Sequence, residues 1–350
     1  MKNPEKIKLD VPGSGRLAAV AFAFVASASM AAWAQESSSG PLATKLPRNR
    51  VVATVPVGSA PQGIVVTPNR SFVYVANGGS ISISEIATAT NTVALTIPLS
   101  YSPGALAITP DGSTLYIANY YASSVSVFDT ASNSVTQTLP LSEGPTFLAM
   151  SPDGTQLYVL CNYQEGSGVI AIIDTATNQV SSTTINVGGF PQSLVFTADG
   201  KYAYEVNDPA SSVTVIDTTT QSISGTLATG QLHAGGLALL PSGTKLFVTG
   251  DSTFVQVLNT SGTGKKKITL PESSGFNTPA LTPNGLYLYL PMFIGGSTTV
   301  LMIDTKTSSV AGNPITVGSQ PYAIAISSNA RRAYVSNYAS GTVSVINIAP

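Results

Sequence analysis

Short apolar runs alternate along this chain with clusters of Gly, Pro, Asn, Asp, Ser and Thr. Runs of roughly four to eight residues bounded by such turn formers are typical of β-strands. One representative stretch begins at Pro103 and continues just past Asn133. Its pattern predicts four short strands, at Ala105–Thr109, Leu115–Ala118, Val125–Phe128 and Val135–Leu139. We therefore expect a small antiparallel sheet in this part of the chain.

Two turn motifs separate these strands. Pro110-Asp111-Gly112 predicts a hairpin turn, because Pro presets φ, Asp accepts a hydrogen bond from its own backbone and Gly adopts positive φ without steric cost. Asp129 begins a second turn motif that ends at Asn133. Its carboxylate could be read as a reactive acid, but its recurrence at turns favours a local turn-stabilising role. Equivalent positions hold Asp174, Asp217, Asn259, Asp304 and Asn347.

This arrangement recurs seven times. The proline slot of the first turn is occupied by Pro68, Pro110, Pro152, Ala198, Pro241, Pro283 and Ser328, at spacings of 42, 42, 46, 43, 42 and 45 residues. Six residues later an aromatic ring stands every time, at Tyr74, Tyr116, Tyr158, Tyr204, Phe247, Tyr289 and Tyr334. A fixed period of this size predicts an all-β, seven-bladed β-propeller with four antiparallel strands per blade. We expect the recurring aromatic rings to be buried between blades.

The last repeat stops after its third strand, near Ile348, so its fourth strand is missing at the C-terminal end. The segment Val51–Val57 matches the fourth-strand pattern of the other repeats. We expect it to join the last blade and close the ring, because closure removes two exposed sheet edges. The propeller is accordingly assigned to residues 50–350.

Residues 1–34 match a secretory signal peptide, and residues 35–49 form a polar linker. A basic beginning precedes the apolar stretch Leu17–Met30, and Ala32-Trp33-Ala34 provides a small-residue cleavage site. An uncleaved membrane anchor is the alternative, although the small residues and the Ser-rich spacer favour cleavage. We therefore expect a periplasmic or extracellular protein with no membrane span after cleavage.

Charge is sparse in this chain. The full chain has a formal net charge of −1, and charged residues make up 9% of it, against about a quarter in typical soluble domains. Removal of residues 1–34 takes four bases and two acids and leaves a net charge of −3. One basic run exists, Lys265–Lys267, which we interpret as a solvated turn between strands. Nucleic acid is therefore disfavoured as a partner, since phosphate neutralisation needs a basic surface.

The reactive residue types are equally scarce. Cys161 is the single cysteine and His233 the single histidine, so neither an intramolecular disulfide nor a typical zinc site can form. Cys161 occupies a position held by Asn in other repeats, and we interpret it as a small buried residue. We expect no metal and no cofactor.

The blocks Leu115–Asn119 (LYIAN) and Ala333–Asn337 (AYVSN) give the chain a family resemblance. It resembles the YVTN-repeat β-propellers, a group of exported bacterial and archaeal proteins, over about Arg50 to Ile348. The resemblance implies the propeller fold but several functions. Relatives include surface-layer modules, a single-stranded-DNA binder, and propellers that carry d1 haem or serve amine dehydrogenases, while lactonase propellers are a neighbouring group.

A ligand is expected on the face where fourth strands lead to first strands and second strands to third strands, because its loops vary while the scaffold is constant. Aromatic rings and amides there suit sugars, peptides or unstacked bases. The alternative is that these tyrosines merely pack against neighbouring loops. The candidate ligand-binding residues are Gln62, Tyr120, Tyr121, Tyr163, Gln192, His233, Asn277, Tyr322 and Tyr338.

These features favour an exported, monomeric binding or scaffold protein over an enzyme. Its partner would be a neutral small molecule, a glycan, a peptide or a protein. A lactonase-type hydrolase or a haem d1-like maturation protein is the alternative, and a single-stranded-DNA binder is a second one. Several carboxylates converging on His233 would favour an enzyme, whereas dispersed amides and aromatic rings would favour binding.

Overall fold

Seven small sheets make up the fold in the computed structural model, which describes residues 48–162, 168–208, 211–230, 233–275 and 278–348. Every adjacent strand pair within a blade is antiparallel. The strand β1 (Arg50–Pro56) comes first in the chain. Blade 1 consists of β2 (Pro61–Val66), β3 (Phe72–Asn77), β4 (Ser82–Ala87) and β5 (Thr92–Pro98). Blade 2 consists of β6 (Leu106–Ile108), β7 (Thr114–Asn119), β8 (Ser124–Asp129) and β9 (Ser134–Pro140).

The middle blades follow the same order. Blade 3 consists of β10 (Gly144–Met150), β11 (Gln156–Asn162), β12 (Val169–Asp174) and an outer strand in two segments, β13 (Gln179–Val180) and β14 (Ile185–Asn186). Blade 4 consists of β15 (Phe190–Phe196), β16 (Tyr202–Asp208), β17 (Ser212–Asp217) and β18 (Ser222–Ala228).

The last three blades complete the ring. Blade 5 consists of β19 (Ala234–Leu239), β20 (Lys245–Gly250), β21 (Phe254–Asn259) and β22 (Lys265–Thr269). Blade 6 consists of β23 (Ala280–Leu281), β24 (Tyr287–Met292), β25 (Thr299–Asp304) and the outer segments β26 (Ser309–Val310) and β27 (Ile315–Thr316). Blade 7 consists of β28 (Pro321–Ile326), β29 (Arg332–Asn337), β30 (Thr342–Asn347) and β1.

The predicted fold and its closure are confirmed. β1 pairs antiparallel with β30, with Val55 opposite Val343 and Pro56 opposite Thr342. Asn49, just before β1, extends this closure to blade 6: its side-chain oxygen accepts a hydrogen bond from the Tyr289 hydroxyl at 2.8 Å. The N-terminal segment thus supplies an outer strand to blade 7 and a contact to the blade beside it.

The turn aspartates have the local role that the sequence predicts. The Asp111 carboxylate accepts hydrogen bonds from the Thr109 hydroxyl (2.6 Å) and the Ser113 backbone N–H (3.0 Å). Asp129 accepts the Ser132 backbone N–H at 2.6 Å. These hydrogen bonds stabilise the turns, and this structural role explains why Asp recurs at these positions.

The recurring aromatic rings are buried, as predicted. Tyr116 is fully buried among side chains of blade 3 such as Leu148 and Leu157. Its hydroxyl donates a 2.7 Å hydrogen bond to the Asn178 side chain, in the turn before β13. Each such ring fills the space between two blades, and a Tyr can also bond to the next blade. All seven rings have relative exposures of 0–2%.

One expectation about the basic run is wrong. Lys265–Lys267 form the exposed start of β22 rather than a turn. The Lys267 ammonium lies 3.9 Å from the centroid of the Phe254 ring, and the Lys266 ammonium donates to the Thr307 carbonyl at 2.6 Å. Long lysine side chains can cover apolar surface while their charges reach water or carbonyl oxygens, so an outer strand tolerates them.

A buried carboxyl group interrupts the otherwise apolar seam between blades 3 and 4. Glu205 is 0% exposed and stands where other second strands have Val, Ile or Leu. Its Oε2 accepts a 2.8 Å hydrogen bond from the Asn207 amide, while its Oε1 has no partner among the described residues. Burial raises the pKa of Glu205 to about 8, and the nearby Thr214 side chain lowers it by a smaller amount.

We expect Glu205 to make the protein less stable as pH rises from about 4.5 to about 8. Near pH 4.5 the carboxyl begins to ionise in the unfolded chain but stays neutral in the folded one, so the free energy of unfolding falls until the folded pKa is passed. Glu205→Leu should flatten this slope in denaturant unfolding at several pH values. The same substitution at the exposed Glu272 is the control. An unchanged slope in Glu205→Leu would contradict the expectation.

Candidate functional site

The candidate site occupies one face of the ring. In an antiparallel meander, the loops from second to third strands and from fourth to first strands emerge on the same side. We call this side the loop face and the side with the Pro-Asp-Gly turns the turn face. Among the described residues, the loop-face connections carry Glu143, Asp208, Asp251 and Glu272 and no Lys or Arg. This face therefore presents negative charge or none.

A pocket of about 270 Å³ on this face brings together residues from blades distant in sequence. Four of the candidate residues line it: Gln62, Tyr120, Gln192 and Tyr322. Thr146, Phe147 and Thr278 complete its polar and aromatic wall. We call it the axial pocket, because most of its lining comes from first strands and the residues just before them.

A repeated irregularity in the first strands explains this lining. The pairing register between first and second strands shifts after Pro61, Pro145, Pro191 and Pro321. The residues at these shifts, among them Gln62, Thr146, Gln192 and Tyr322, lack a regular partner in the ladder. A bulge re-aims the side chain of its extra residue, and here those side chains line the axial pocket.

Two missing side chains make room for Gln62. A Cβ at Gly78 would lie 2.6 Å from the Gln62 Nε2, so Gly is needed there for this position of the amide. A Cβ at Gly104 would lie 3.8 Å from the Gln62 Oε1, which is ordinary contact. The Gln62 backbone carbonyl is also held, since it accepts the Ser336 hydroxyl at 2.6 Å. The carboxamide is thus positioned beside the pocket by its surroundings.

Aromatic rings form two groups on the loop face. Tyr120 and Tyr121 pack edge to face at 5.2 Å, and Tyr121 is 89% exposed. Tyr322 and Tyr338 form the second group with Phe293, with ring centroids 5.6–6.1 Å apart. Burial, and secondarily Tyr338, raises the pKa of Tyr322, so its hydroxyl stays protonated at neutral pH. The tyrosines do pack against one another, yet Tyr120, Tyr121 and Tyr322 keep exposed surface.

His233 lies apart from the axial pocket, of whose lining it is not a member. Its Nδ1 is 2.7 Å from an Asp208 carboxylate oxygen. Asp251 is held nearby, because its backbone N–H donates to the His233 carbonyl at 3.0 Å and its carboxylate accepts the Ser273 hydroxyl at 2.8 Å. The Asp208 carboxylate therefore contacts the imidazole directly. The described residues include no group of three or more His, Cys, Asp and Glu side chains that could hold a metal.

Cys161 is a buried residue, as its position in the repeat predicts. It is 1% exposed, and burial, with a contribution from Glu143, raises its pKa to about 12. The thiol is therefore protonated at neutral pH and unsuited to nucleophilic attack.

Two of the candidate residues, Tyr163 and Asn277, lie outside the described residues. Phe293 lies in the loop after β24, one of the longer loops that the sequence places on the loop face, and its ring packs against Tyr322 and Tyr338. The described residues include no helix that is long and apolar enough to cross a membrane.

Comparison with known proteins establishes the fold. No family model matches the chain, and no curated protein matches it. Kuenenia stuttgartiensis hydrazine synthase is similar in structure, with a TM-score of 0.75 and 21% identity over 89% of this chain and 98% of that chain. The Cps50 (Swd1) β-propeller domain of Myceliophteria thermophila has a TM-score of 0.71 and 12% identity over 86% and 100% of the two chains. The chain is thus a seven-bladed β-propeller.

Proposed function

We propose that this propeller is a binding protein that takes a neutral, polar ligand, such as a glycan or a peptide segment, in the axial pocket. The observation that carries the proposal is the pair of carboxamides, Gln62 and Gln192. Both line the pocket, and neither side chain has a hydrogen bond with another described residue. A carboxamide offers two donors and an acceptor, so the two groups remain available to a ligand.

The aromatic side chains supply the apolar half of such a site. Tyr120 and Tyr322 line the pocket and are 41% and 37% exposed. Amphipathic rings of this kind can stack on a sugar or a peptide group while their hydroxyls reach water. Pockets that combine apolar walls with a few fixed polar groups are typical ligand sites.

Charge supports a neutral ligand over a nucleic acid. Among the described residues, the lining of the axial pocket includes no Asp, Glu, Lys or Arg, and the loop face adds only acidic side chains and His233. Phosphates would meet repulsion there instead of the Lys and Arg contacts that drive binding to nucleic acids. Binding should accordingly depend weakly on salt.

We expect Gln62→Ala and Gln192→Ala each to weaken ligand binding about five- to thirtyfold. This range corresponds to losing roughly 1–2 kcal/mol per hydrogen-bonding side chain. The measurement is calorimetric titration with the best-binding member of a panel of neutral oligosaccharides and peptides, at low and high salt. Gln137→Ala, the same change on the exposed outer strand β9, should bind as the unaltered protein does.

A second variant tests the pocket itself. Gly104 has room for a Cβ and lines the pocket, so Gly104→Phe should fill the cavity and abolish binding without unfolding the ring. Full binding in this variant would show that the ligand lies elsewhere. Tight oligonucleotide binding with a steep salt dependence would instead support the single-stranded-DNA alternative.

The His233–Asp208 pair is the one observation that favours a hydrolase as a second candidate. An aspartate bonded to Nδ1 fixes the imidazole orientation, as in general-base catalysis. Turnover of a lactone that is lost in His233→Ala would support this candidate. Further carboxylates around the imidazole would strengthen this candidate. Among the described residues, Asp208 supplies the carboxylate that contacts His233.

We further propose that the chain is an exported member of the YVTN-repeat group, with a monomeric propeller in the periplasm or outside the cell. The repeat blocks and the signal-like residues 1–34 support this placement. N-terminal sequencing of the protein recovered after cell fractionation would test it. A mature protein that begins at Met1 in the cytoplasmic fraction would contradict it.

A further inference from the structure

Charge divides the turn face of the ring into two regions. Among the described residues, the turns of blades 2, 3 and 4 and the strand ends beside them carry six Asp and one Lys, a formal charge of −5. The same positions of blades 5, 6, 7 and 1 carry nine bases and one Asp, a formal charge of +8. We call these regions the acidic half and the basic half. The bases of the basic half are Arg48, Arg50, Arg70, Lys245, Lys265, Lys266, Lys306, Arg331 and Arg332.

Turn geometry does not account for this division. The turn between first and second strands has Asp in blades 2, 3 and 4, whereas blades 1, 6 and 7 have Asn at the same position: Asn69, Asn284 and Asn329. Asn69 accepts the Thr67 hydroxyl at 2.7 Å and the Ser71 backbone N–H at 2.9 Å. Asp111 accepts the equivalent pair of hydrogen bonds in blade 2. Either side chain stabilises the turn, so the choice between them changes only the charge of the face.

The bases also lie where no carboxylate is opposite them. Arg332 and Arg50 lie opposite Asn347 from its two neighbouring strands, and Lys245 lies opposite Asn259. The position of these two Asn residues holds Asp in blades 2, 3, 4 and 6, where the second-strand residue opposite is uncharged. Among the residues that the structure describes, no Lys or Arg of the basic half forms an ion pair. Its positive charge is therefore not neutralised within the ring.

The surroundings of the basic half restrict what can bind there. A broad anionic surface such as a membrane would lie against both halves, and the acidic half would repel it. Single-stranded nucleic acids are bound by bases that stack on aromatic rings as well as by positive charge. The tyrosines that are 37–89% exposed all lie on the loop face: Tyr101, Tyr120, Tyr121 and Tyr322. A short anionic chain without bases avoids both obstacles.

We propose that the basic half docks a flexible, Asp- and Glu-rich segment of a partner protein. Lys and Arg side chains donate charge-assisted hydrogen bonds to its carboxylates. The acidic half repels the same segment, which confines it to blades 5, 6, 7 and 1 and sets the orientation of the partner. This docking surface is on the opposite side of the ring from the axial pocket, so a partner and a pocket ligand can bind together.

The experiment is a fluorescence anisotropy titration of a labelled deca-glutamate peptide with the full protein at low and high salt. We expect saturable binding at low salt that weakens about tenfold or more at high salt, because exposed charges are screened. Oligothymidylate of ten nucleotides and phosphatidylglycerol vesicles, at equal negative charge, should bind more weakly. Absence of saturable peptide binding, or tighter binding of either comparison probe, would overturn the proposal.

Two residues at the same position of the repeat provide a matched pair of variants. Arg331 in the basic half and Lys201 in the acidic half are both exposed, and each backbone N–H donates to the turn Asn or Asp at 3.2 Å. Arg331→Glu should weaken peptide binding about tenfold, because one exposed attraction is lost and one repulsion is gained. Lys201→Glu changes the net charge equally and should alter binding less than about twofold. Equal weakening in both variants would mean that net charge alone attracts the peptide, against the proposal.

Two further measurements identify the occupant and separate the two faces. Sedimentation of the protein at low salt should give the mass of one chain. A dimer that dissociates at high salt would make the acidic half of a second copy the occupant and would overturn the proposal. Gly104→Phe, which fills the axial pocket, should bind the peptide as the unaltered protein does. Loss of peptide binding in that variant would place the peptide on the loop face instead.

Discussion

Deletion of residues 48–57 is expected to abolish cooperative unfolding of the ring. The deletion removes β1, exposes the edge of β30, and takes away the buried Val55 and the Asn49 contact to Tyr289. An unpaired edge also favours association with other chains. We expect a loss comparable with the whole free energy of unfolding, about 5–15 kcal/mol for a typical domain.

Thermal unfolding followed by circular dichroism and calorimetry measures this effect. A deletion of residues 35–47, which ends before β1, is the control and should unfold like the full chain. If removal of residues 48–57 left a single transition at the same temperature, β1 would not be needed to close the propeller.

Replacement of Tyr116 by Ala is expected to destabilise the protein by about 3–5 kcal/mol. The ring is fully buried among side chains of blades 2 and 3, and truncating a buried aromatic side chain removes its burial energy and leaves a cavity. Tyr116→Phe should cost about 1 kcal/mol, because it removes the hydrogen bond to Asn178 but keeps the ring.

Denaturant unfolding of the two Tyr116 variants separates packing from hydrogen bonding. Tyr121→Ala, at a side chain that is 89% exposed, should change stability by less than about 0.5 kcal/mol. A loss below about 1 kcal/mol in Tyr116→Ala would mean that the recurring aromatic slot does not hold the blades together.

The sequence predicted many residues of the candidate site, but it did not predict which of them lie together. The sequence predicted that the variable loops on one face of the ring carry the ligand-binding residues, and four of those candidates do line one pocket. Their spacing gave no sign that Tyr120 and Gln192 would share a cavity while His233 would pair with Asp208 outside it. Such groupings depend on the curvature of the ring and on loop conformations that no local pattern encodes.

The sequence by itself determined the all-β class, the number of blades, the closing strand and the burial of the repeating aromatic rings. These follow from local signals repeated seven times: alternating apolar runs, Pro-Asp-Gly turns and a ring at a constant offset. Repetition makes each local preference agree with the others, and closure is the arrangement that pairs both otherwise unpaired edges.

Only the tertiary structure decided which sequence differences between the repeats change the packing between blades or the ionisation of a side chain. The turns that contain Gly154 and Gly200 are similar in sequence, yet a Cβ at Gly154 would lie 2.4 Å from Pro110, whereas a Cβ at Gly200 would lie 3.6 Å from Pro152. Glu205 replaces an aliphatic residue, and burial between two blades is what shifts its ionisation. These properties arise from the surroundings that neighbouring blades create, because desolvation, packing distance and cavity volume belong to the assembled ring and not to any single repeat.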